Sequence, residues 1–443
     1  QATLHSTPHK VMTHTNHHIA WFRQTGPYIK AHRGRTFVIY LGNGAIESPG
    51  LVTLLHDLAL LHSLGVRLVL VHATREAIDA ALPPGFHPVF HDGIRVTDDR
   101  TLAIASETAG RHRVKLEQLL SMGLPNTPLR GARLRVLGGN LVTARPLGIH
   151  DGVDYLHSGA VRRIDANGVR GILEHDAIAL ISPLGYSPAG ELFSVSASEV
   201  AEHVAVAIEA DKLIFLDRHE GLADGDGSLI RQSTIASAEA LALADDEQRR
   251  LRDAACRACA QGVARSHVLS YAREGSLLEE LFTHDGSGTL IAQNPYEQAR
   301  GAEIEDIASI LELIRPLEQS GTLVRRSRER LEEEISHFSI LERDGRVLAC
   351  AALYPYRNER VGEIACVATH PDYRGAGRAR QLLSELLNQA KDQSLDHVFV
   401  LTTQSTHWFL EQGFEAASLE QLPVEKQRLY NWQRNAAVLR RAV

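Results

Sequence analysis

The chain has few cysteines, no long apolar run and no excess of positive charge, and each shortage excludes a class of protein. Its 443 residues include only four cysteines, too few for a disulfide-stapled secreted fold, so we expect a cytoplasmic protein. No stretch of it approaches the roughly 20 apolar residues that a membrane-spanning helix needs, so no membrane partner is expected. The net charge of −7 gives no basic field that would attract nucleic acid.

Metal-binding patterns are also scarce. The 23 histidines form no HExxH motif, and the CxxC pair Cys256 and Cys259 has no second pair to complete a zinc site. We interpret these cysteines as ordinary helix residues, with redox or metal chemistry as the alternative, and we expect no metal. Residues 1–20 lack a continuous apolar segment, so we interpret them as a disordered or tag-like N-terminus and not as a secretory signal.

Residues 21–291 alternate apolar, β-branched runs with helical patterns. TFVIYLGN (36–43) and VRLVLVHAT (66–74) are typical of buried strands and have a helical pattern between them, and KLIFLD (212–217) follows another helical pattern. Strands separated by helices predict a parallel sheet covered on both faces, so the first domain is expected to be α/β. The polar segment 292–303, which contains proline and glycine, is interpreted as a linker.

Residues 304–443 follow a different pattern. An amphipathic helical stretch (304–318) precedes two β-rich runs joined at Asp344-Gly345, which is a hairpin signal, and a third β-rich run covers 361–370. A strand meander followed by a glycine turn and a helix predicts a smaller, compact α+β domain. The chain is therefore expected to be α/β, with a parallel-sheet domain first and an α+β domain second.

The segment RGAGRA (374–379) lies directly before an amphipathic helical pattern. Leu382, Leu383 and Leu386 fall on one helix face, which predicts that the helix begins near Arg378. Small residues at a helix start let backbone N–H groups approach a ligand, and the helix dipole favours an anion such as pyrophosphate. The alternative interpretation is a tight turn that needed glycine, with solvated arginines beside it.

In its position after a strand meander, this turn resembles the coenzyme A pyrophosphate loop of the GNAT acetyltransferases. The chain after residue 20 resembles the bacterial N-acetylglutamate synthases, in which an amino-acid-kinase-like domain precedes a GNAT domain. The resemblance rests on segments that include HRGRTFVIYLG (32–42), GIRVTDDRTL (93–102), IACVATHPDYR (364–374), THWFLEQGF (406–414) and YNWQR (430–434). It implies transfer of acetyl from acetyl-CoA to the α-amine of L-glutamate, the first step of arginine biosynthesis.

The resemblance also implies roles for residues of the second domain. Glu363 matches the general base, with a solvent-facing strand carboxylate as the alternative, and Thr402 and Tyr430 are candidate proton donors. Arg326 and Arg434 match clamps for the two glutamate carboxylates. Acetyl-CoA binding, for which Cys366 would serve through its backbone and not as a nucleophile, is implied at Cys366, Val367, Arg374, Gly375, Ala376, Gly377, Arg378 and Ala379.

For the first domain the resemblance implies regulation. Where amino-acid kinases bind phosphate, this chain has Tyr40 instead of lysine and Asn43 instead of glycine, so phosphoryl transfer is not expected. The segment 17–34 resembles one that interlaces subunits, and a homohexamer is expected. A site for L-arginine, acting as a feedback inhibitor, is implied at His267, Tyr271, Glu280, Gly286 and Gly288.

Two rival functions stay open on the sequence. An acetylglutamate kinase is disfavoured by Tyr40 and Asn43, and a catalytically silent arginine sensor is disfavoured by Glu363, Arg326 and Arg434. An assay for free coenzyme A with glutamate and acetyl-CoA, with an ATP control, distinguishes all three.

Overall fold

The computed structural model of the chain describes residues 14–122, 134–283, 285–293, 297–343, 345–374, 377–428 and 436–443. The chain divides into two compact units, Gln1–Pro295 and Tyr296–Val443. Among the described residues, no helix combines the length and the apolarity needed to cross a membrane.

The first unit alternates strands and helices along most of its length. Its helices are α1 (His14–His32), α2 (Leu51–Ser63), α3 (Arg75–Ala81), α4 (Asp99–Leu120), α5 (Ala166–Glu174), α6 (Ala197–Ala207), α7 (Ile235–Glu239), α8 (Asp246–Ala260) and α9 (Ser276–Phe282). Its strands are β1 (Thr36–Leu41), β2 (Arg67–His72), β3 (Phe90–His91), β4 (Ile94–Arg95), β5 (Arg135–Leu137), β6 (Val142–Pro146), β7 (Ile149–His150), β8 (Val153–Asp154), β9 (Gly159–Ile164), β10 (Ala177–Ile181), β11 (Leu184–Tyr186), β12 (Leu192–Ser194), β13 (Lys212–Asp217), β14 (Gln232–Thr234), β15 (Arg265–Ser270) and β16 (Thr289–Ala292).

The main sheet of this unit has the strand order β14-β16-β15-β13-β1-β2-β10-β5 and is parallel except between β15 and β16. This confirms the predicted parallel sheet. Along β1, Val38 and Tyr40 belong to one buried apolar cluster, whereas Phe37 and Ile39 belong to another. Because successive strand side chains point to opposite faces, both faces of the sheet are covered. A four-stranded sheet, β12-β11-β6-β9, was not anticipated from the sequence.

Helix α1 begins at His14, so part of the segment 1–20 that we interpreted as a tail is helical. Its last residue, His32, is buried and its Nε2 lies 2.7 Å from the carbonyl oxygen of Leu281 in α9. Burial, together with the nearby Lys212, lowers the pKa of His32 to about 4. At neutral pH the ring is therefore uncharged, and Nε2–H donates to the carbonyl, which fastens α1 to α9.

The second unit is built around one mixed sheet. Its helices are α10 (Ile307–Gln319), α11 (Arg328–Glu334), α12 (Arg378–Asp392), α13 (Thr406–Glu411) and α14 (Val424–Arg428), with short 3-10 turns at Ile304–Asp306, Ile335–His337, Pro371–Tyr373 and Leu419–Gln421. Its strands are β17 (Gln298–Gly301), β18 (Phe338–Arg343), β19 (Arg346–Tyr356), β20 (Val361–Thr369), β21 (His397–Thr402), β22 (Glu415–Ala416) and β23 (Ala437–Ala442).

The strand order of this sheet is β17-β18-β19-β20-β21-β23-β22, and only β20 and β21 are parallel neighbours. These two strands pair only over Val361–Glu363 and His397–Phe399. Beyond those three residue pairs β20 continues to Thr369 and β21 to Thr402 without pairing to each other. The sheet therefore opens in its middle, and the edges of both strands become available to a ligand.

The segment 292–303 is not wholly a linker. Gln298–Gly301 pairs with β18 and forms the edge strand of the second sheet. The guanidinium of Arg300 binds the carboxylates of Asp306 and Glu342, at 2.7 and 2.5 Å. Proline and glycine hid this strand from pattern analysis, because its stability depends on a ladder and ion pairs with residues further along the chain.

Candidate active site

A groove of about 660 Å³ occupies the opening between β20 and β21. Its walls come from residues 364–369 of β20 and 400–402 of β21, and the start of α12 closes one end at 377–380. A strand edge offers unpaired N–H and C=O groups to an extended ligand in the way a neighbouring strand would. The groove can therefore bind a chain that carries amide groups.

A β-bulge shapes the β20 wall of this groove. Cys366 and Val367 together oppose the single residue Ala351 of β19, and Cys366 has a φ of 54°. Such a bulge bends a strand and redirects its backbone groups. Cys366 is buried, and burial raises the pKa of its thiol to about 11, so it is protonated and a poor nucleophile at neutral pH. The geometry fits a backbone role for both residues.

The start of α12 supplies backbone donors at the end of the groove. Gly377 has a φ of 75°, and the first helical hydrogen bond runs from the Gln381 N–H to the Gly377 carbonyl at 3.0 Å. The N–H groups of residues 378–380 therefore have no partner within the helix, and they stand where the helix dipole favours an anion. Arg374 is exposed beside them, whereas Gly375 and Ala376 lie outside the described residues.

The Arg378 side chain has a different task from its backbone. Its guanidinium makes a two-pronged ion pair with Glu297, at 2.7 to 3.0 Å, and donates to the Tyr373 carbonyl at 2.9 Å. The side chain is only 9% exposed. Because these bonds occupy the guanidinium, only the Arg378 backbone N–H is left for a phosphate, while its side chain fixes the turn.

Glu363 is the last residue of β20 that pairs with β21, so it lies where the two strands part. It is 7% exposed, which removes the alternative of a solvent-facing strand carboxylate. One carboxylate oxygen lies 2.7 Å from Nζ of Lys426 in α14, and the other accepts a hydrogen bond from the Tyr356 hydroxyl at 3.4 Å. Burial and the neighbouring Glu363 raise the pKa of Tyr356, so this tyrosine stays a neutral donor.

Arg326 lies close to Cys366 and to Tyr354 at the same end of the unit. Its guanidinium is 14% exposed, and its Nε has no hydrogen-bond partner among the described residues. The nearest carboxylate, that of Glu334, is 3.8 Å away. A buried guanidinium nitrogen without a partner is costly, so this geometry suits an arginine that awaits an anionic ligand.

Thr402 ends β21 and lines the groove. Its hydroxyl oxygen accepts a hydrogen bond from the Ser405 N–H at 3.0 Å, which leaves the hydroxyl proton free to be donated. Tyr430 and Arg434, the second candidate donor and the second clamp, lie outside the described residues. The structure thus places Thr402, Cys366 and the α12 start around one groove, and Glu363 directly before the β20 wall of that groove.

In the first unit, His267 and Glu280 form a buried pair. His267 Nδ1 lies 2.7 Å from one oxygen of Glu280, and the other oxygen accepts from the Ser287 and Gly288 N–H groups at 2.6 and 3.1 Å. Burial would raise the pKa of Glu280, but these hydrogen bonds lower it to about 2. Burial and Lys212 lower the pKa of His267, so a neutral imidazole donates to an ionised carboxylate.

Two further basic side chains adjoin this pair, and the sequence patterns indicated neither of them. Lys212 Nζ is 3.4 Å from His267 Nε2, and His32 of α1 is close enough for Lys212 to affect its pKa. Tyr271, by contrast, directs its hydroxyl to the Asn43 carbonyl at 2.9 Å and not toward Glu280. The structure therefore brings together His267, Glu280 and the Gly286–Gly288 loop, while the Tyr271 hydroxyl serves the loop after β1.

The first unit has a cleft of about 180 Å³ at the carboxyl ends of its parallel strands. Tyr40 donates from its hydroxyl to Glu247 at 3.0 Å, and the Asn43 amide donates to the same oxygen at 3.3 Å. A carboxylate therefore stands where a kinase needs a cation against phosphate. This arrangement supports the interpretation that the cleft has lost phosphoryl-transfer chemistry.

Among the described residues, one group has metal-ligand spacing: His91, Asp92 and Asp151, with ligand atoms within 4.8 Å of one another. Both aspartates are exposed, and His91 Nδ1 hydrogen-bonds with the Tyr155 hydroxyl at 2.8 Å. Exposed acidic groups commonly cluster without an ion, so we assign this group no role.

Two family matches divide the chain in the same order as its two units. Residues 35–270 match the amino acid kinase family, and residues 304–414 match the acetyltransferase (GNAT) family. An amino-acid acetyltransferase of Azotobacter vinelandii is 50% identical over 431 residues, which is 96% of this chain and 99% of the relative.

Two solved structures are similar over nearly the whole chain. N-acetylglutamate synthase from Neisseria gonorrhoeae, complexed with coenzyme A and L-arginine, aligns with a TM-score of 0.85 at 38% identity. The same enzyme complexed with coenzyme A and N-acetyl-glutamate aligns with a TM-score of 0.62, also at 38% identity. Each alignment covers 96% of this chain and 99% of the solved chain.

Proposed function

Because the chain belongs to the amino-acid acetyltransferases, with an amino acid kinase domain followed by a GNAT domain, we propose that it makes N-acetyl-L-glutamate from L-glutamate. It is an enzyme, and acetyl-CoA is its acetyl donor. The observation that carries the proposal is the opening between β20 and β21, which begins directly after the buried Glu363 and has backbone donors at its end.

Glu363 is proposed as the general base. The α-amine of glutamate is an ammonium at neutral pH, and Glu363 accepts its proton. The free amine then attacks the thioester carbonyl carbon, so that the new C–N bond forms and the C–S bond breaks. Direct transfer of this kind depends mainly on proximity and on a positioned base, and it needs no acyl-enzyme. The neutral Cys366 thiol is consistent with that route.

Acetyl-CoA is proposed to lie in the groove, with its pantetheine against the edge of β20 and its pyrophosphate at the start of α12. As the amide forms, the nitrogen loses its second proton and the leaving thiolate takes one up; the Thr402 hydroxyl, which lines the same groove, is proposed to accept the first and donate the second. Arg326 holds one glutamate carboxylate, because its Nε lacks a partner within the described residues. Arg434 is proposed as the second clamp on its sequence position alone.

The test is release of free coenzyme A by the purified chain. We expect release with L-glutamate and acetyl-CoA, and at least tenfold slower release with L-aspartate, whose side chain is one methylene shorter. N-acetylglutamate with ATP serves as the control for the rival kinase, and no ADP is expected. Coenzyme A release that does not depend on glutamate would contradict the proposal.

We further propose that L-arginine binds the His267–Glu280 cluster and inhibits the enzyme. The support is an ionised, buried carboxylate whose hydrogen bonds hold the neighbouring Gly286–Gly288 loop. His32 joins α1 to α9, the helix of Glu280, so a ligand there can bias α1. Arginine can alter activity only if it prefers one of two states.

Glu280→Ala is the variant that tests this site, and Glu279→Ala is its matched control. Glu279 is adjacent on α9, but it is 39% exposed and pairs with Arg273. We expect arginine binding and inhibition to be lost with Glu280→Ala and kept with Glu279→Ala. Identical arginine titrations for the parent and Glu280→Ala would place the effector elsewhere.

We also propose a homohexamer in the cytoplasm. Ile19 and Phe22 of α1 are 46% and 64% exposed, which supports contact of this helix with another subunit. The four cysteines are all unpaired and buried, which fits a reducing compartment. Sedimentation of the parent and of a Phe22→Ser variant tests the assembly, and a monomeric parent would contradict it.

A further inference from the structure

The carboxylate proposed as the base is not free in this structure. Lys426 Nζ lies 2.7 Å from Glu363 Oε1, and the two side chains are 23% and 9% exposed. Among the described residues, the carboxylate has one other hydrogen-bond partner, the neutral Tyr356 hydroxyl at 3.4 Å. Lys426 reaches it from α14, a five-residue helix 63 positions further along the chain. An ion pair with so little exposure is a strong restraint on both groups.

This pairing conflicts with the chemistry unless it is exchanged during substrate binding. An ammonium that donates to Oε1 occupies the oxygen that must receive the proton of the substrate. Glutamate brings its own ammonium, so one ammonium can replace the other at Glu363 with little change in local charge. The substrate also brings two carboxylates, one of them on the carbon that carries the amine, and Glu363 would repel that carboxylate unless a cation stood between them.

We propose that Lys426 is a substrate-binding residue that leaves Glu363 when glutamate enters and pairs with the α-carboxylate. This inference rests on the proposed function, because it needs an amino-acid acceptor and Glu363 as the base. The α-carboxylate is favoured over the γ-carboxylate by connectivity. When the substrate ammonium takes the place of Nζ, the α-carboxylate lies within about one hydrogen-bond length of that place, whereas the γ-carboxylate is two carbons further away.

The exchange gives each charged group of the substrate a partner. The substrate ammonium donates to Glu363, Lys426 donates to the α-carboxylate, and Arg326 remains for the γ-carboxylate, with Arg434, the second proposed clamp, as a further donor to one of the two carboxylates. Lys426 keeps its proton throughout, and only the substrate proton passes to Glu363. In the absence of glutamate, Lys426 holds the base in its buried position, so the site does not contain an unpaired buried carboxylate.

Acceptor analogues that each lack one charge test the assignment. The parent and Lys426→Gln are compared on L-glutamate, on L-isoglutamine (the α-amide) and on L-glutamine (the γ-amide), by coenzyme A release. An analogue that turns over too slowly is measured as a competitive inhibitor against glutamate. Loss of one charge-assisted hydrogen bond should lower kcat/KM for glutamate about 10- to 100-fold in Lys426→Gln.

The selective result is expected on the analogues. In the parent, replacing the α-carboxylate by an amide should lower kcat/KM about as much as the lysine substitution does. In Lys426→Gln, the kcat/KM values for glutamate and for the α-amide should differ by no more than about threefold. The penalty for the γ-amide should be unchanged by the substitution. Lys391→Gln, at an exposed lysine near the end of α12, is the control and should match the parent on all three acceptors.

Each other outcome overturns the assignment in a recognisable way. Unchanged glutamate kinetics in Lys426→Gln would mean that the lysine never binds substrate. If Lys426→Gln lowered kcat/KM equally for glutamate and for the α-amide, and each amide kept its own effect, Lys426 would only position Glu363. If Lys426→Gln abolished the loss of kcat/KM caused by the γ-amide, Lys426 would bind the γ-carboxylate and not the α-carboxylate. If the parent itself does not acetylate glutamate, the proposed function fails first, before any variant is compared.

Discussion

Replacing Arg326 by glutamine should impair glutamate use while leaving the fold and acetyl-CoA binding almost intact. The guanidinium is mostly buried, its Nε has no hydrogen bond among the described residues, and its Nη1 donates a long bond of 3.4 Å to the Val324 carbonyl. Tyr354 also hydrogen-bonds with the guanidinium, so the Nε–H in particular remains available to a ligand. A carboxylate that pairs with it would gain one or two charge-assisted hydrogen bonds, and Arg326→Gln removes them.

The expected cost follows from those bonds. Losing them should raise the barrier by about 2–4 kcal/mol, which corresponds to a fall in kcat/KM for glutamate of roughly 30- to 1000-fold. Stability should change little, because Glu334 keeps shorter contacts with Arg330 at 2.8 Å and with the Tyr354 hydroxyl at 2.7 Å. The pair that Glu334 loses is 3.8 Å long, and such contacts contribute about 1 kcal/mol or less.

Steady-state kinetics with each substrate varied in turn provide the measurement. The Arg326→Gln variant should keep the parent's KM for acetyl-CoA within about twofold, since no part of the proposed thioester contact depends on the guanidinium. Arg330→Gln is the matched control, because it removes a cation from the same carboxylate on the exposed side and should leave glutamate kinetics unchanged. If Arg326→Gln retains the parent's kcat/KM for glutamate, the clamp assignment is refuted.

Three other changes test neighbouring parts of the structure. Glu363→Gln should lower kcat by roughly 10²–10⁴ with the fold retained, and a pH–rate profile within threefold of the parent at every pH would mean that solvent takes the proton. Gly377→Val should raise the KM for acetyl-CoA about 5- to 30-fold, because a φ of 75° costs an L-residue about 1–2 kcal/mol. A new Cβ would have nothing within 4 Å, so the effect should come from the backbone and not from a clash. An unchanged KM would contradict pyrophosphate binding at the start of α12. Burial and Lys212 hold His32 neutral, so the parent's free energy of unfolding should decline as pH falls from 6.5 toward 4. The His32→Gln variant should show a smaller decline. Parallel plots of unfolding free energy against pH would exclude His32 as the cause.

The strands of the parallel sheet could be predicted because local composition alone selects them. TFVIYL and the LIFL of KLIFLD are rich in apolar side chains with β-branched and aromatic residues among them, and the structure buries Phe37 and Ile39 on one face and Val38 on the other. The four-stranded sheet could not be predicted in this way, since its strands are short and partly exposed, and two of them contain glycine. Gly159 and Gly185, for example, stand where a Cβ would lie 2.7 and 2.5 Å from a neighbouring side chain.

The site was only partly visible in the sequence. The glycine turn predicted the start of α12 at Arg378, and the helix begins there. The bulge at Cys366 was not predictable, because it depends on the register between β20 and β19 and not on residue type. The Lys426–Glu363 pair could not be predicted for a related reason, because no local pattern joins residues so far apart. Lys426, four positions before the candidate proton donor Tyr430, was the available signal that a cation lies near the site.

The ion pair between Arg378 and Glu297 determines where this chain can be divided. Glu297 stands at the beginning of the second unit, ahead of the family match that starts at residue 304, and it neutralises the Arg378 guanidinium at the start of α12. A fragment that starts at 304 would leave that guanidinium buried with no carboxylate to meet it, and a charge in that position is poorly tolerated. A fragment that starts before 297 retains the counter-charge and the edge strand together. The second unit therefore begins before the segment that matches the GNAT family, because Glu297 fixes the start of α12 from outside that segment.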